Sequence, residues 1–371
     1  MEAARDDLAK GWCPSAHRPM QSGDGFILRV KPRLGRLSAD EMRMICNTAS
    51  TYGSGVIDLT NRANLQIRGL TETSAQSALS DLIAAGLVDA DPDMDRKRAI
   101  ITNPFGPSEG ISHAYHILCE TLLDVPPLSA KFGFAIDDYD APVLHSASAD
   151  IRLYVKDKSV LVHADGAEMG VTCTPDQLGS VIADLIAWFL SHDGLTLKRM
   201  RRVVAASPLP HKFASTPIPP MAQHPVIDHQ IGARFGQFQA QDMRGLLEAY
   251  SGSFRVTPWR WMILDHPLQT KQIDGFATHP NDPLMHITAC PGAPMCTSAT
   301  VDTHAFASTL TDHLKGQVHV SGCAKGCAHP RRAEYTFVGR DGKFDLVRNG
   351  CSWETPSQTD IRLADLNMMD Q

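Results

Sequence analysis

Residues 39 to 43 read ADEMR, and about two hundred residues later, at 240 to 244, the chain reads AQDMR. The echo continues in order, with GSGVIDLTNR at 53 to 62 followed in the second copy by SGSFRVTPWR at 251 to 260, so that Arg62 and Arg260 close the two strings. The first copy parses as strand, helix, strand, strand. Ser38 and Glu41 form an S-x-x-E capping box, Met42, Ile45, Cys46 and Ala49 recur at helical spacing, and a second helix over SAQSALSDLIAAG is stopped by Gly86. Two such units related by a pseudo-twofold axis would place their arginine-bearing strands around a shared cleft, which makes duplication the strongest constraint on the fold.

Between the copies, residues 95–206 have a mixed pattern: helices at SHAYHILCETLL and DQLGSVIADLIAWFL, strands near KFGFAID and ADIRLYV. A Pro-rich stretch, STPIPPMAQHP, leads into the second copy. The last quarter carries paired cysteines and ends on YTFVGRDGKFDLV, where Asp341-Gly342 between two apolar runs predicts a hairpin. The expected units are 14–92, 95–206, 222–282 and 283–364, and the fold class is α+β.

TNRANLQIRGL, residues 60 to 70, alternates polar Arg62, Asn64, Gln66 and Arg68 with Ala63, Leu65 and Ile67, the pattern of a strand with one core face. Its other face carries guanidiniums and amides, donors suited to carboxylates or phosphates. A formal net charge of -6 argues against a general nucleic-acid role, because no basic excess is present to neutralise a phosphate backbone. Any anion site must be local. The longest apolar run, VIADLIAWFL, is short and interrupted by Asp184, which excludes a membrane span there. The opening MEAARDDLAK lacks the basic and apolar blocks of a signal peptide, so the expected compartment is the cytoplasm.

Nine cysteines in 371 residues are too few for a disulfide scaffold. Four fall in two pairs: Cys290 and Cys296 in ACPGAPMC, and Cys323 and Cys327 in SGCAKGCAHP. C-x5-C followed by C-x3-C on glycine-rich loops suits a 4Fe-4S cluster held by four thiolates. A zinc site, for which the first spacing is unusual, and two disulfides are the alternatives. Cys13, Cys46, Cys119, Cys173 and Cys351 read as packing residues.

The duplicated arginine-bearing units followed by C-x5-C and C-x3-C resemble the sirohaem-type nitrite and sulfite reductase superfamily, across nearly the whole chain. Within it, RPMQSGDGFILRVKP, IDLTNRANLQIRGL, FRVTPWRWMIL, ITACPGAPMC and HVSGCAKGCAHP resemble the precorrin-3B synthase branch. That resemblance implies a pseudo-twofold fold of two ferredoxin-like half-domains and two reductase-like α+β domains, the second holding the cluster. It also implies an oxygen-dependent monooxygenase that hydroxylates precorrin-3A and closes a lactone, fed by an external reductase or ferredoxin-like donor. The alternative is a sirohaem-dependent nitrite or sulfite reductase.

In the reductases the strand matching TNRANLQIRG and its neighbours hold sirohaem carboxylates. The resemblance therefore assigns Arg62, Asn64, Gln66, Arg68, Arg96, Arg255 and Arg260 to binding an acidic tetrapyrrole. Arg29 and Lys131 match catalytic cations of the oxyanion pocket, with Arg96 or Arg98 for its other arginine. The second lysine of that pocket is Gly133 here, a departure that favours the synthase. The synthase branch is associated with a mononuclear non-haem iron. Sixteen histidines offer no clean ligand triad for it, the pair His113 and His116 reading better as a partly exposed pair near a helix start than as ligands. His319 and His329 flank the cluster loops, with His329 read as a hydrogen-bond partner of sulfur or as loop packing. Asp24 reads as a turn residue able to contact substrate.

Overall fold

Helix Ala39–Tyr52 starts where the capping box predicts. Ser38 Oγ accepts from the Glu41 amide at 3.2 Å, and the Glu41 carboxylate accepts from the Ser38 amide at 2.7 Å. Its stripe of Met42, Ile45, Cys46 and Ala49 is wholly buried. Against it packs the repeat's helix, Ala240–Ala249, through Met243, Leu246 and Leu247. The computed structural model describes residues 14–361 apart from 107, 226, 269–272, 311–313 and 315.

Each copy lends a strand to the other. The first copy's sheet runs Met20–Ser22, Gly25–Val30, Leu65–Leu70, Val56–Leu59 and then Gln237–Gln239 from the second. The second copy's sheet runs Phe276–Ala277, Gln230–Ala233, Trp261–Leu264, Phe254–Val256 and then Arg36–Leu37 from the first. Both lent strands follow the same turn. Arg33–Gly35 holds Leu34 at φ 53°, and Arg234–Gly236 holds Phe235 at φ 58°. Reciprocal exchange fuses the two halves into one hydrophobic core, in which Leu28 and Ile67 share a cluster with Met262 and Leu264.

The turns before the third strands align the repeats one residue differently from the sequence strings. Thr60 Oγ1 accepts from the amides of Arg62 and Asn64, and Thr257 Oγ1 accepts from those of Trp259 and Trp261. Ala63 and Arg260 are the left-handed residues of the two turns, at φ 52° and 68°. Arg62 therefore corresponds to Trp259, and Arg260 to Ala63. The same turn shortens the strand expected over 60 to 70: it begins at Leu65, because the left-handed Ala63 breaks the extended run.

A six-stranded sheet follows, ordered Thr216–Pro217, Met169–Cys173, Ser159–Ala164, Ile151–Lys156, Phe134–Asp138 and Ile100–Thr102. Helices Glu109–Asp124 and Pro175–Ser191 share its core. The last sheet runs Ile287–Ala289, Val318–Ser321, Ala333–Arg340, Lys343–Gly350 and Gln358–Ile361, with the expected hairpin at Asp341 and Gly342. Its strands Ile287–Ala289 and Val318–Ser321 are parallel neighbours. The loops leaving their C-terminal ends, one with Cys290 and Cys296 and the other with Cys323 and Cys327, thus start side by side. Among the described residues no helix is long and apolar enough to cross a membrane.

A buried charge cluster ties the first sheet to the next segment. Lys31, Asp95 and Arg98 are 6%, 1% and 2% exposed. Lys31 Nζ lies 3.7 Å from the Asp95 carboxylate and donates to the Asp95 carbonyl, while Arg98 donates to Asp89 at 2.6 Å and to the Lys31 carbonyl at 3.0 Å. Burial pulls the Lys31 ammonium down to about 8, with Asp95 working against it and Arg98 and Arg29 adding to it. Because the folded value lies below the unfolded one, the unfolded chain binds the extra proton between about pH 8 and 10.5, and stability rises with pH across that window. Relative to Lys31→Met, the unmodified protein should gain on the order of 2 kcal/mol between pH 7.5 and 10. Urea midpoints of the two proteins at both pH values test this; parallel pH profiles would refute it.

Candidate functional site

On the first sheet the register sets Arg29 opposite Gln66, Gln66 opposite Asp58, and Asp58 opposite Gln237 of the lent strand. Strand alternation puts these side chains on one face, and they bond along the row. Gln66 turns its amide oxygen to Arg29, 2.8 Å from Nη2, and its nitrogen to Asp58 at 3.1 Å. Gln237 donates to Asp58 at 2.7 Å.

Arg68, two residues along the same face and 2% exposed, is saturated by the protein itself. It donates to both carboxylate oxygens of Asp24, at 2.9 and 2.8 Å, and to Asp58 at 2.9 Å. It also reaches Ser22 Oγ at 3.2 Å and the Met295 carbonyl at 3.1 Å. Burial works to lower the guanidinium, but Asp58 and Asp24 more than compensate and raise it above its ordinary value. The acidic group facing this arginine is therefore Asp24 with Asp58, and Arg68 has no open fork for a ligand carboxylate. Asp24 is both the expected turn residue and half of this clamp.

The clamp grips the first cysteine loop. Met295, between Cys290 and Cys296, offers its carbonyl to Arg68, to Ser22 Oγ at 2.6 Å and to the Gly23 amide at 3.1 Å. A Cβ on Gly23 would stand 2.3 Å from the Pro294 carbonyl oxygen, so only glycine lets the hairpin dock there.

The other arginines are dispersed. Arg62, half-buried, donates to the Lys131 carbonyl at 2.7 Å and to Ser148 Oγ at 3.1 Å. Asn64 is buried, with its amide turned to the carbonyls of Arg62 and Ala63 in its own turn. Arg255 donates to the Pro104 carbonyl at 2.8 Å. Arg260 donates to the carbonyls of Ile287 and Met285, and burial lowers its guanidinium to about 10. Arg96 sits on the short helix Pro92–Lys97 and pairs with Asp93, whereas Arg98 is the buried one. Lys131 is half-buried, in the loop before Phe134–Asp138. Two residues on, Gly133 is crowded: an added Cβ would lie 3.2 Å from the Ala99 carbonyl and 3.4 Å from that of Ser148. His113 and His116 are both exposed on Glu109–Asp124.

The four paired cysteines converge. Cys290, 7% exposed, continues the parallel ladder through its amide to the Val320 carbonyl at 2.9 Å. The Cys296 amide closes a tight turn on the Gly292 carbonyl at 2.7 Å, with Gly292 at φ 68° and Thr303 Oγ1 2.5 Å from where its Cβ would be. Burial raises the Cys290 thiol, against the Ser321 hydroxyl and the amides of Ala328 and Gly322 directed at its sulfur. Cys327 is the exposed member of the four, yet its thiol is pushed up to about 11 by local desolvation and then by Cys290, Cys323 and Cys296, so each of those three lies within electrostatic reach of it. Among the described residues no three His, Cys, Asp or Glu side chains are placed to hold a single metal ion. Cys46, Cys173 and Cys351 are buried and Cys119 half-buried, as packing residues should be, while Cys13 lies outside the described residues.

Of the two histidines expected near these loops, His319 is the one on sulfur. Its Nε2 lies 3.7 Å from Cys290 Sγ, and burial, then His329, lowers its imidazole to about 3. His329 Nε2 is instead 3.4 Å from the Arg332 carbonyl. His304, which sequence reading passed over, sits on the short helix Thr303–Ser308, stacks on Phe235 at 4.8 Å and feels the charge of Arg68. No motif marks it; only the packing of the second copy's turn on the cysteine-bearing segment does. Two larger crevices, about 540 and 600 Å³, open beside Arg234 and Asp282 and beside Arg260 and Ile287. Neither is lined by Arg62, Arg68 or any of the four cysteines.

Residues 18–85 match the model of the nitrite/sulfite reductase ferredoxin-like half domain. The chain is 27% identical over 396 aligned residues to a precorrin-3B synthase of Sinorhizobium sp, covering 94% of this chain and 85% of that protein. It is 21% identical over 420 aligned residues to a ferredoxin–nitrite reductase of Synechococcus elongatus, covering 90% and 80%. A chloroplastic ferredoxin–nitrite reductase of Zea mays is 31% identical over 99 residues, 26% of this chain and 17% of the relative. Among solved structures, the Mycobacterium tuberculosis NirA protein superposes with a TM-score of 0.57 at 15% identity, over 92% of this chain and 79% of that one. The fold is thus of the nitrite and sulfite reductase type, with the expected α+β class.

Proposed function

We propose that this chain is a cytoplasmic oxygen-dependent monooxygenase of cobalamin biosynthesis that hydroxylates precorrin-3A and closes a lactone with a ring acetate, giving precorrin-3B. The observation that carries this reading is similarity to a precorrin-3B synthase along nearly the whole of both chains. The nitrite reductases match more weakly or over a quarter of the chain. Two features of the site also favour the synthase over a sirohaem-dependent reductase. Gly133 supplies no second lysine to an oxyanion pocket, and its backbone is packed too closely for a side chain to be added freely. Arg68, on the strand that in the reductases holds sirohaem carboxylates, is already saturated by Asp24 and Asp58.

The paired cysteines fit an iron–sulfur cluster. Four thiols sit on two adjacent loops, and amide N–H groups point at the most buried sulfur, as a cluster environment requires. Cys290, Cys296, Cys323 and Cys327 would hold one 4Fe-4S cluster, which when bound supplies one-electron transfer from an external reductase or ferredoxin. Arg62 and Lys131, half-buried at the junction of the first half-domain with the six-stranded sheet, are assigned to substrate carboxylates. Arg29 and Gln66, on the first sheet's row that runs through Asp58 to Gln237, are assigned to the same substrate. Arg68 acts at one remove, by docking the cysteine loop. A mononuclear iron finds no fitting set of three ligands among the described residues, and no step is assigned to it.

Monooxygenation transfers one atom of O2 to the substrate and the other to water, consuming two electrons and two protons. Turnover of precorrin-3A under labelled O2 should therefore give a hydroxyl carrying the label, in protein without sirohaem. Product at full yield under strict anaerobiosis, or stoichiometric sirohaem in active protein, would return the chain to the reductases.

A further inference from the structure

His319 lies on the middle of the three strands that frame the cysteine loops, pairing with Thr288 on one side and Thr336 on the other, and its side chain is fully buried. Two groups besides amides approach Cys290 Sγ: His319 Nε2 at 3.7 Å and Ser321 Oγ at 3.5 Å. They are not equivalent. The Ser321 hydroxyl has one proton to share between Cys290 Sγ and the Cys323 carbonyl, and the carbonyl, at 2.7 Å, is the closer acceptor. His319 Nδ1 has no partner among the described residues. The tautomer with its proton on Nε2 therefore gives a Cys290 thiolate a side-chain donor at the longer range usual for sulfur. A buried imidazole with one nitrogen unpaired is otherwise costly, so its place against a cysteine sulfur is an unusual use of a core position.

We infer that His319 is a positioning residue that donates a hydrogen bond from Nε2 to the Cys290 thiolate and so raises the reduction potential of the cluster. A donor on a ligand sulfur withdraws charge from it and stabilises the more electron-rich reduced state; burial away from water magnifies the effect. His329, whose ring is 5.6 Å from that of His319, takes no direct part because its Nε2 is directed to the Arg332 carbonyl. The inference rests on the cluster assignment above and concerns which side chain sets its electron affinity.

The test is an anaerobic redox titration, monitored by electron paramagnetic resonance, of the full-length protein and of His319→Phe and His319→Gln, each first assayed for iron and sulfide. Phenylalanine fills the site without a donor and glutamine restores an N–H. With cluster content unchanged, His319→Phe should disfavour reduction at least tenfold, about 59 mV for one electron, and His319→Gln should recover part of the shift. An unchanged potential in His319→Phe at full cluster content would overturn the inference. Should the phenylalanine variant fail to fold, His319→Leu, which also lacks a donor, would overturn it equally by showing an unchanged potential at full cluster content. Absence of iron and sulfide from the unmodified protein would instead reject the cluster assignment itself.

Discussion

Arg68→Ala should lower stability by about 3 to 5 kcal/mol, the scale for removing one partner of a buried ion pair. Asp24 and Asp58 would keep their carboxylates with no cation against them, in a face where Asp58 is already pushed above the usual carboxylate range by burial and is held down chiefly by Arg68. The Met295 carbonyl would lose one of three donors, loosening the dock between the first hairpin and the cysteine loop. Arg68→Lys should recover little, since an ammonium cannot make the two-pronged contact to Asp24 and reach Asp58 as well. Adding Asp58→Asn to Arg68→Ala should restore part of the loss by removing one uncompensated charge. Urea unfolding of the three variants measures this. A loss below about 1 kcal/mol for Arg68→Ala would show that the network contributes little and would reopen the guanidinium to a ligand role.

Each of Cys290→Ser, Cys296→Ser, Cys323→Ser and Cys327→Ser should strip the cluster or leave a small fraction of its iron and sulfide. The four sulfurs act as one donor set, and a serine oxygen is a poor substitute for a soft thiolate. Cys290→Ser should have the largest effect because its sulfur is the most enclosed, receiving the Ala328 and Gly322 amides. Serine at Cys46 or Cys173, which pack in the helical and six-stranded cores, should leave iron content unchanged. Full iron and sulfide in any two of the four cluster variants, or zinc in place of iron in the unmodified protein, would overturn the assignment.

What the sequence by itself determined was local and periodic. Ser38 with Glu41, Met42 through Ala49, and Asp341-Gly342 between apolar runs specify their elements within a few residues of chain, because helix caps, helical stripes and two-residue turns are set by neighbours in sequence. The repeated strings and the cysteine spacing are equally local, and with them the reductase-type fold was legible. Which side of a strand Arg68 faces was legible too, since alternation decides it. What it faces was not. Asp24 lies 44 residues away and Met295 lies 227 away, and the tertiary structure alone brings both to one guanidinium. Alternation also failed at Arg62 and Asn64, where Thr60 closes a turn with its hydroxyl and Ala63 goes left-handed, so two residues read as strand donors belong to a turn, from which Arg62 reaches Lys131 and Ser148 while Asn64 folds back on the turn itself. His319 and His329 looked alike as neighbours of cysteines. They were separated only by the parallel pairing of Ile287–Ala289 with Val318–Ser321, which sets His319 beside the strand leading into Cys290 and leaves His329 on the loop beyond. A pattern in one chain fixes the direction of a side chain, whereas its partner is chosen by long-range packing that no single segment encodes.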